Sequence, residues 1–228
     1  KIDIIAGTGT AETVVRMEFL GGDPADASSY KVYTILESKG EPADWFYPLD
    51  ISDNDLDGDG QLEVVVTNRN GSGANQAQIL VLDYDRFKFD SGGDNPEHLA
   101  PNWSIAAVSY GTDVDTTFMK ELDNSRTVIG GMDMDGDGAK EVIATDYAGH
   151  RVIVFEYDAA NNAFDVVWRS PIVDTTNHYA NPRTVAVGDL DGDGRQEIVF
   201  PSSDKYAEGY HIFEWDGVVG SDNYGTTY

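Results

Sequence analysis

Short apolar runs recur along this chain in a fixed order, separated by polar, glycine-rich stretches. Val64-Val65-Val66, Val142-Ile143-Ala144 and Ile198-Val199-Phe200 are β-type runs. Each is followed by a polar turn and then by an apolar strand ending in an aromatic and an acid, over residues 77–85, 151–158 and 210–216. Ahead of two of the runs stand Arg126-Thr127-Val128-Ile129-Gly130-Gly131 and Arg183-Thr184-Val185-Ala186-Val187-Gly188. A further strand is visible over 102–108 and 165–169. The pattern predicts four short strands per repeat of roughly sixty residues.

Between the first two strands of these repeats the chain writes an aspartate ladder three times. The ladders are Asp55-Leu56-Asp57-Gly58-Asp59-Gly60-Gln61-Leu62-Glu63, Asp133-Met134-Asp135-Gly136-Asp137-Gly138-Ala139-Lys140-Glu141 and Asp189-Leu190-Asp191-Gly192-Asp193-Gly194-Arg195-Gln196-Glu197. Carboxylates stand at positions 1, 3, 5 and 9, and glycines at 4 and 6. Without a cation, carboxylates crowded this closely repel one another strongly. Hard oxygen donors in this number suit Ca²⁺, which takes six to eight oxygens in a flexible shell. The glycines let alternate side chains converge on one point. Position 7 varies freely (Gln61, Ala139, Arg195), as expected where a carbonyl serves. An EF-hand opens in the same way but needs a bidentate Glu at position 12 and flanking helices. Here position 12 is Val66, Ala144 and Phe200, inside β-type runs, so the loops join strands.

A unit of four short strands repeated in this way is the signature of a β-propeller blade, antiparallel within itself and all-β in class. Lys1-Ile2-Asp3-Ile4-Ile5-Ala6-Gly7 aligns with Gln61-Leu62-Glu63-Val64-Val65-Val66-Thr67, which sets Asp3 at position 9 of a loop whose first six residues are absent. Strands over 13–19 and 30–36 complete that first unit, and the last unit reads as three strands followed by a Gly/Ser/Asn-rich tail over 217–228. The chain thus reads as one propeller segment, 1–228, holding about three and a half blades: 1–44 (partial), 45–124, 125–181 and 182–228 (partial). Open propellers leave unpaired edges, which soluble proteins avoid. The expectation is a polypeptide that continues in both directions, with the outer partner of strand 210–215 lying beyond Tyr228.

In these features the chain resembles the FG-GAP and VCBS-type calcium repeats of β-propellers, including the integrin α-subunit propeller. The resemblance covers nearly the whole chain, and its specific part is the Asp-x-Asp-Gly-Asp-Gly-x-x-Glu loop with its flanking strands. It implies a closed ring of about seven blades, with Ca²⁺ bound through positions 1, 3, 5 and 9 and the carbonyl of position 7. Carried over, one ligand set is Asp55, Asp57, Asp59, Gln61 and Glu63. The others are Asp133, Asp135, Asp137, Ala139 and Glu141, and Asp189, Asp191, Asp193, Arg195 and Glu197, making three calcium sites. Asp3 joins them where upstream residues complete its loop.

Composition narrows the partners. Acids number 41 against 15 bases, for a net charge of −26, and twelve of the acids stand in the ladders. Three Ca²⁺ ions would bring −26 to −20, which still excludes a nucleic-acid partner, for which a basic face is required. Direct contact with an anionic membrane is disfavoured for the same reason. With no cysteine, calcium is the staple in place of disulfides. Loops of this kind fill in millimolar external calcium, which points to the extracellular side, the cell surface or a periplasm.

No catalytic constellation emerges. His98, His150, His178 and His211 show no metal spacing, and no Gly-x-Ser-x-Gly elbow occurs. His211 reads as a packing residue within a strand, and Trp103, Trp168 and Trp215 as core between blades. If the ladders gather on one side of the disc, the opposite side collects residues 68–76, 146–150 and 201–208, with the links 111–125 and 170–182. Tyr147, His150, His178, Tyr179 and Tyr206 are then candidate ligand contacts, an aromatic and polar mixture suited to sugars or protein loops. The expected function is a non-catalytic, calcium-stabilised module that binds a protein or glycan, with the rest of the propeller supplied by the same polypeptide. The alternatives are the propeller domain of a larger secreted polysaccharide-active enzyme and a structural subunit of a surface assembly.

Overall fold

The computed structural model describes residues 3–8, 13–37, 46–50, 55–56, 60, 63–68, 79–84, 103–109, 125–147, 149–158, 160, 163–172, 182–201 and 209–226. Within them the chain is all-β, and the helical element is a single 3₁₀ turn at Ala27–Ser29. The strands fall into consecutive antiparallel units, consistent with propeller blades. The first is β1 (Asp3–Gly7), β2 (Thr13–Phe19) and β3 (Tyr30–Glu37). The second is β4 (Phe46–Asp50), β5 (Val64–Asn68), β6 (Ile79–Tyr84) and β7 (Trp103–Ser109). The third is β8 (Val128–Met132), β9 (Glu141–Asp146), β10 (Arg151–Asp158) and β11 (Ala163–Arg169). The fourth is β12 (Ala186–Gly188), β13 (Glu197–Pro201), β14 (Tyr210–Trp215) and β15 (Tyr224–Thr226). A lone parallel pairing of Ala163 with Val108 joins the outer strands of the second and third units.

The fourth unit corrects the sequence reading. The tail after Gly217 contains the outer strand, and Trp215 of β14 pairs with Tyr224 of β15. The partner of β14 is therefore inside the chain and not beyond Tyr228. Local turn chemistry makes this possible. Asp216 accepts from the Val218 N–H at 2.9 Å, and its other oxygen takes the Ser221 hydroxyl at 3.0 Å. The Trp215 indole N–H closes the same turn on the Ser221 carbonyl at 2.9 Å.

The inner strands of the third unit are buried on both faces, and alternation assigns each face to a different neighbour. Val142 and Ala144 of β9, with Ile153 and Phe155 of β10, pack with Val65, Ile79 and Val81 of the second unit. Ile143, Val152 and Val154 point the other way, onto Ile198, Phe200 and Phe213 of the fourth. Trp168 of β11 joins this second core, 5.3 Å from Phe213 and 5.0 Å from Tyr224 between ring centroids. His211 is a packing residue, tilted against Phe200 at 5.2 Å, and burial lowers its pKa. Trp103 lies in β7, and its side-chain surroundings fall outside the described residues.

Candidate metal centre

The second and third ladders are the connections of strand hairpins, β8 to β9 and β12 to β13. The first lies between β4 and β5. The glycines at positions 4 and 6 adopt the left-handed conformation that closes the turn, with φ of +77° and +99° at Gly136 and Gly138 and of +81° and +90° at Gly192 and Gly194. The aspartates then fold back on the loop. Asp133 accepts from Gly136 N–H at 2.7 Å, Asp135 from Asp137 N–H at 3.1 Å and Asp137 from Ala139 N–H at 2.7 Å. In the third ladder Asp189 accepts from Gly192 N–H at 2.7 Å and Asp193 from Arg195 N–H at 2.9 Å.

Position 9 is held in the same way in all three ladders, through one carboxylate oxygen. Oε2 of Glu63 accepts the Leu56 N–H at 2.6 Å, and Oε2 of Glu197 the Leu190 N–H at 2.5 Å. Oε2 of Glu141 accepts the Met134 N–H. Position 2 is thus part of the design, although the sequence reading assigned it nothing. Its N–H orients the glutamate, while the side chains of Leu56 and Met134 are buried in the two cores. The Leu/Met/Leu recurrence at this position was the available signal.

The second oxygen of these acids decides the chemistry. Oε1 of Glu141, Oε1 of Glu197 and Oδ2 of Asp135 are buried and have no hydrogen-bond partner. Buried polar groups are ordinarily paired, and unpaired carboxylates are the most costly of them. Burial, against the Met134 hydrogen bond, pushes the Glu141 carboxyl up to about 8. Burial likewise raises Asp135 and Glu197. Oxygens of Asp133, Asp135 and Asp137 lie within 4.8 Å of one another. All are hard carboxylate donors, so the residues present fit a hard divalent cation.

The structure also gathers acids that the sequence reading left out. Asp191, Asp193 and Glu197 converge with Glu214 of β14, and Asp137 and Glu141 with Glu156 of β10. Burial, followed by the charges of Asp222, Asp137 and Asp135, pushes Glu156 up to about 7. These two glutamates stand just before the closing aromatic of their strands, Tyr157 and Trp215, and Asp83 before Tyr84 holds the same place in the earlier repeat. Arg195, read as a carbonyl donor, also uses its side chain: Nε donates to Asp193 at 2.7 Å and Nη1 pairs with Glu214 at 2.7 Å.

Among the ladder residues, Asp57, Asp59 and Gln61 lie outside the described residues, as do His178, Tyr179 and Tyr206 of the opposite side. Tyr147 and His150 lie at the ends of β9 and β10 away from the second ladder. The Tyr147 ring has the guanidinium carbons of Arg126 and Arg183 at 5.0 and 5.1 Å from its centroid, and its hydroxyl accepts from Arg183 at 3.2 Å. His150 adopts φ of 63°, unusual for a residue other than glycine.

A solved structure of a protein from Lactobacillus plantarum superposes on 99% of this chain with a TM-score of 0.57 and 11% identity. The chain spans about half of that protein's length, the match taking in 53% of it. At this identity the likeness carries the fold alone. No curated protein matches the chain. The model of the FG-GAP-like repeat matches residues 133–200, from the start of the second ladder to the strand that follows the third. The chain therefore carries an FG-GAP-like repeat at 133–200, set among antiparallel units with a propeller-like fold.

Proposed function

We propose that this chain is a calcium-stabilised, non-catalytic module of an extracellular or cell-surface protein, part of a propeller of about seven blades, and that it binds a protein or glycan. The observation that carries the calcium reading is the pair of fully buried glutamates, Glu141 and Glu197. Each gives one oxygen to a loop N–H and holds a second oxygen without a partner. Ca²⁺ is favoured over Mg²⁺ because the ladders offer several carboxylates and a carbonyl on a glycine-hinged loop. Mg²⁺ retains water and demands a stricter octahedron. Millimolar external calcium supports an extracellular setting. For ligand binding the support is the polar aromatic patch around Tyr147, set away from the ladders.

Equilibrium dialysis with ⁴⁵Ca²⁺, paired with melting curves in calcium and in chelator, tests the metal reading. Occupied ladders should raise the melting temperature by mass action, since the ion binds the native state and not the unfolded chain. Identical melting curves in the two conditions would refute it. Glycan-array and pull-down binding, with Tyr147→Ala as the control variant, tests the ligand face. The variant should lose retention and keep its calcium.

A further inference from the structure

Two of the position-9 glutamates face a second acid across their strand pair: Glu141 lies opposite Glu156, and Glu197 opposite Glu214. Like charges directly opposite one another destabilise a sheet, so each pair calls for a positive partner. The third ladder supplies one covalently, because Arg195 at position 7 reaches Glu214 at 2.7 Å while holding Asp193. In the second ladder position 7 is Ala139, whose methyl cannot take that part.

A third carboxylate arrives there instead, from the neighbouring unit. The turn between β14 and β15 seats on the second ladder, where the Gly220 N–H donates to the Asp135 carbonyl at 3.4 Å. A Cβ placed on Gly136 would lie 3.8 Å from Val219 Cγ2. This docking brings Asp222 in, so that oxygens of Asp135, Glu156 and Asp222 all lie within 4.8 Å of one another. The Asp135 side chain is completely buried, and its Oδ2 has no hydrogen-bond partner. The buried Oδ1 of Asp222 has none either.

We infer that Asp135, Glu156 and Asp222 form a second site for a hard divalent cation, additional to the ladder site, with Asp135 shared between the two and Glu156 also within reach of the ladder acids Asp137 and Glu141. The inference rests on reading the ladders as cation loops. Its consequence is mechanical. Ladder residues belong to one hairpin, whereas this site draws on β10 of the third unit and the β14–β15 turn of the fourth. An ion here clamps adjacent units together at the place where the third ladder uses the Arg195 guanidinium within a single unit.

The test counts calcium per 228-residue chain by equilibrium dialysis for the wild type and for Glu156→Gln, Asp222→Asn and Ala139→Arg. Each variant should bind one ion fewer than the wild type. Ala139→Arg, which transplants the guanidinium of the third ladder, should also melt higher than the wild type in chelator, an effect misfolding cannot produce. Asp189→Asn is the ladder control and should lose its own ion in addition when combined with Asp222→Asn. Unchanged stoichiometry in all three variants, with the wild type still binding calcium at its ladders, overturns the second site alone. A wild type that binds no calcium overturns the ladder reading and this inference with it.

Discussion

The burial of Glu141 makes the stability of the metal-free chain fall as pH rises, opposite to the usual behaviour of a paired carboxylate. Its carboxyl moves from an ordinary 4.5 to about 8 on folding, because the ionised form is desolvated. The folded state then holds a proton that the unfolded state has released. The stabilisation is complete below about 4.5 and is lost progressively up to about 8. At ~1.4 kcal/mol for each tenfold change in proton affinity, the full effect is ~4–5 kcal/mol. That is a large part of the 5–15 kcal/mol typical of a domain. About 3.5 kcal/mol of the full effect is lost between pH 5 and pH 8. At roughly 2–4 °C per kcal/mol for a chain of this size, that corresponds to a fall in Tm of about 7–14 °C in chelator. Calcium competes with the proton for the same oxygens and should abolish or invert the slope. Self-repulsion among 41 acids also weakens the chain as pH rises, so the deciding comparison is with Glu141→Gln. The amide keeps an oxygen for the Met134 N–H and carries no charge, so in chelator the variant should fall clearly less steeply than the wild type. The rest of the slope comes from Glu156, Asp135 and Glu197, which burial also raises. Melting curves at pH 5, 6, 7 and 8 read this directly. A variant that falls as steeply as the wild type would show that the buried charge of Glu141 is not the cause.

Two further outcomes follow from the loop and the core. Gly194 has φ of +90° with open space where a Cβ would stand, so Gly194→Ala should cost only its backbone strain, ~1–2 kcal/mol by denaturant titration. A loss much above that would mean that the third ladder deforms. Phe155 is fully buried in the core between the second and third units, and Phe155→Ala should cost ~3–5 kcal/mol with little change in calcium stoichiometry.

The repeat, the all-β class and the ladder positions were legible in the amino-acid order, because each depends on short-range periodicity. Strand alternation has a period of two, and a nine-residue loop carries its own carboxylates and hinge glycines. The first unit's strands, Asp3–Gly7, Thr13–Phe19 and Tyr30–Glu37, could be placed from the pattern for the same reason. The strand Tyr224–Thr226 could not. Three residues with a central glycine carry no alternation to read, and their pairing depends on the Asp216 turn folding back. The roles of Arg195 and of Glu156, Glu214 and Asp222 were hidden for a related reason. Cross-strand register sets Glu156 opposite Glu141, and the packing of one unit on the next delivers Asp222. Charge interactions act through a few ångströms of space, whatever the separation along the chain. The sequence could therefore name the acids of each ladder, whereas only the stacking of the units decided which other charges face them.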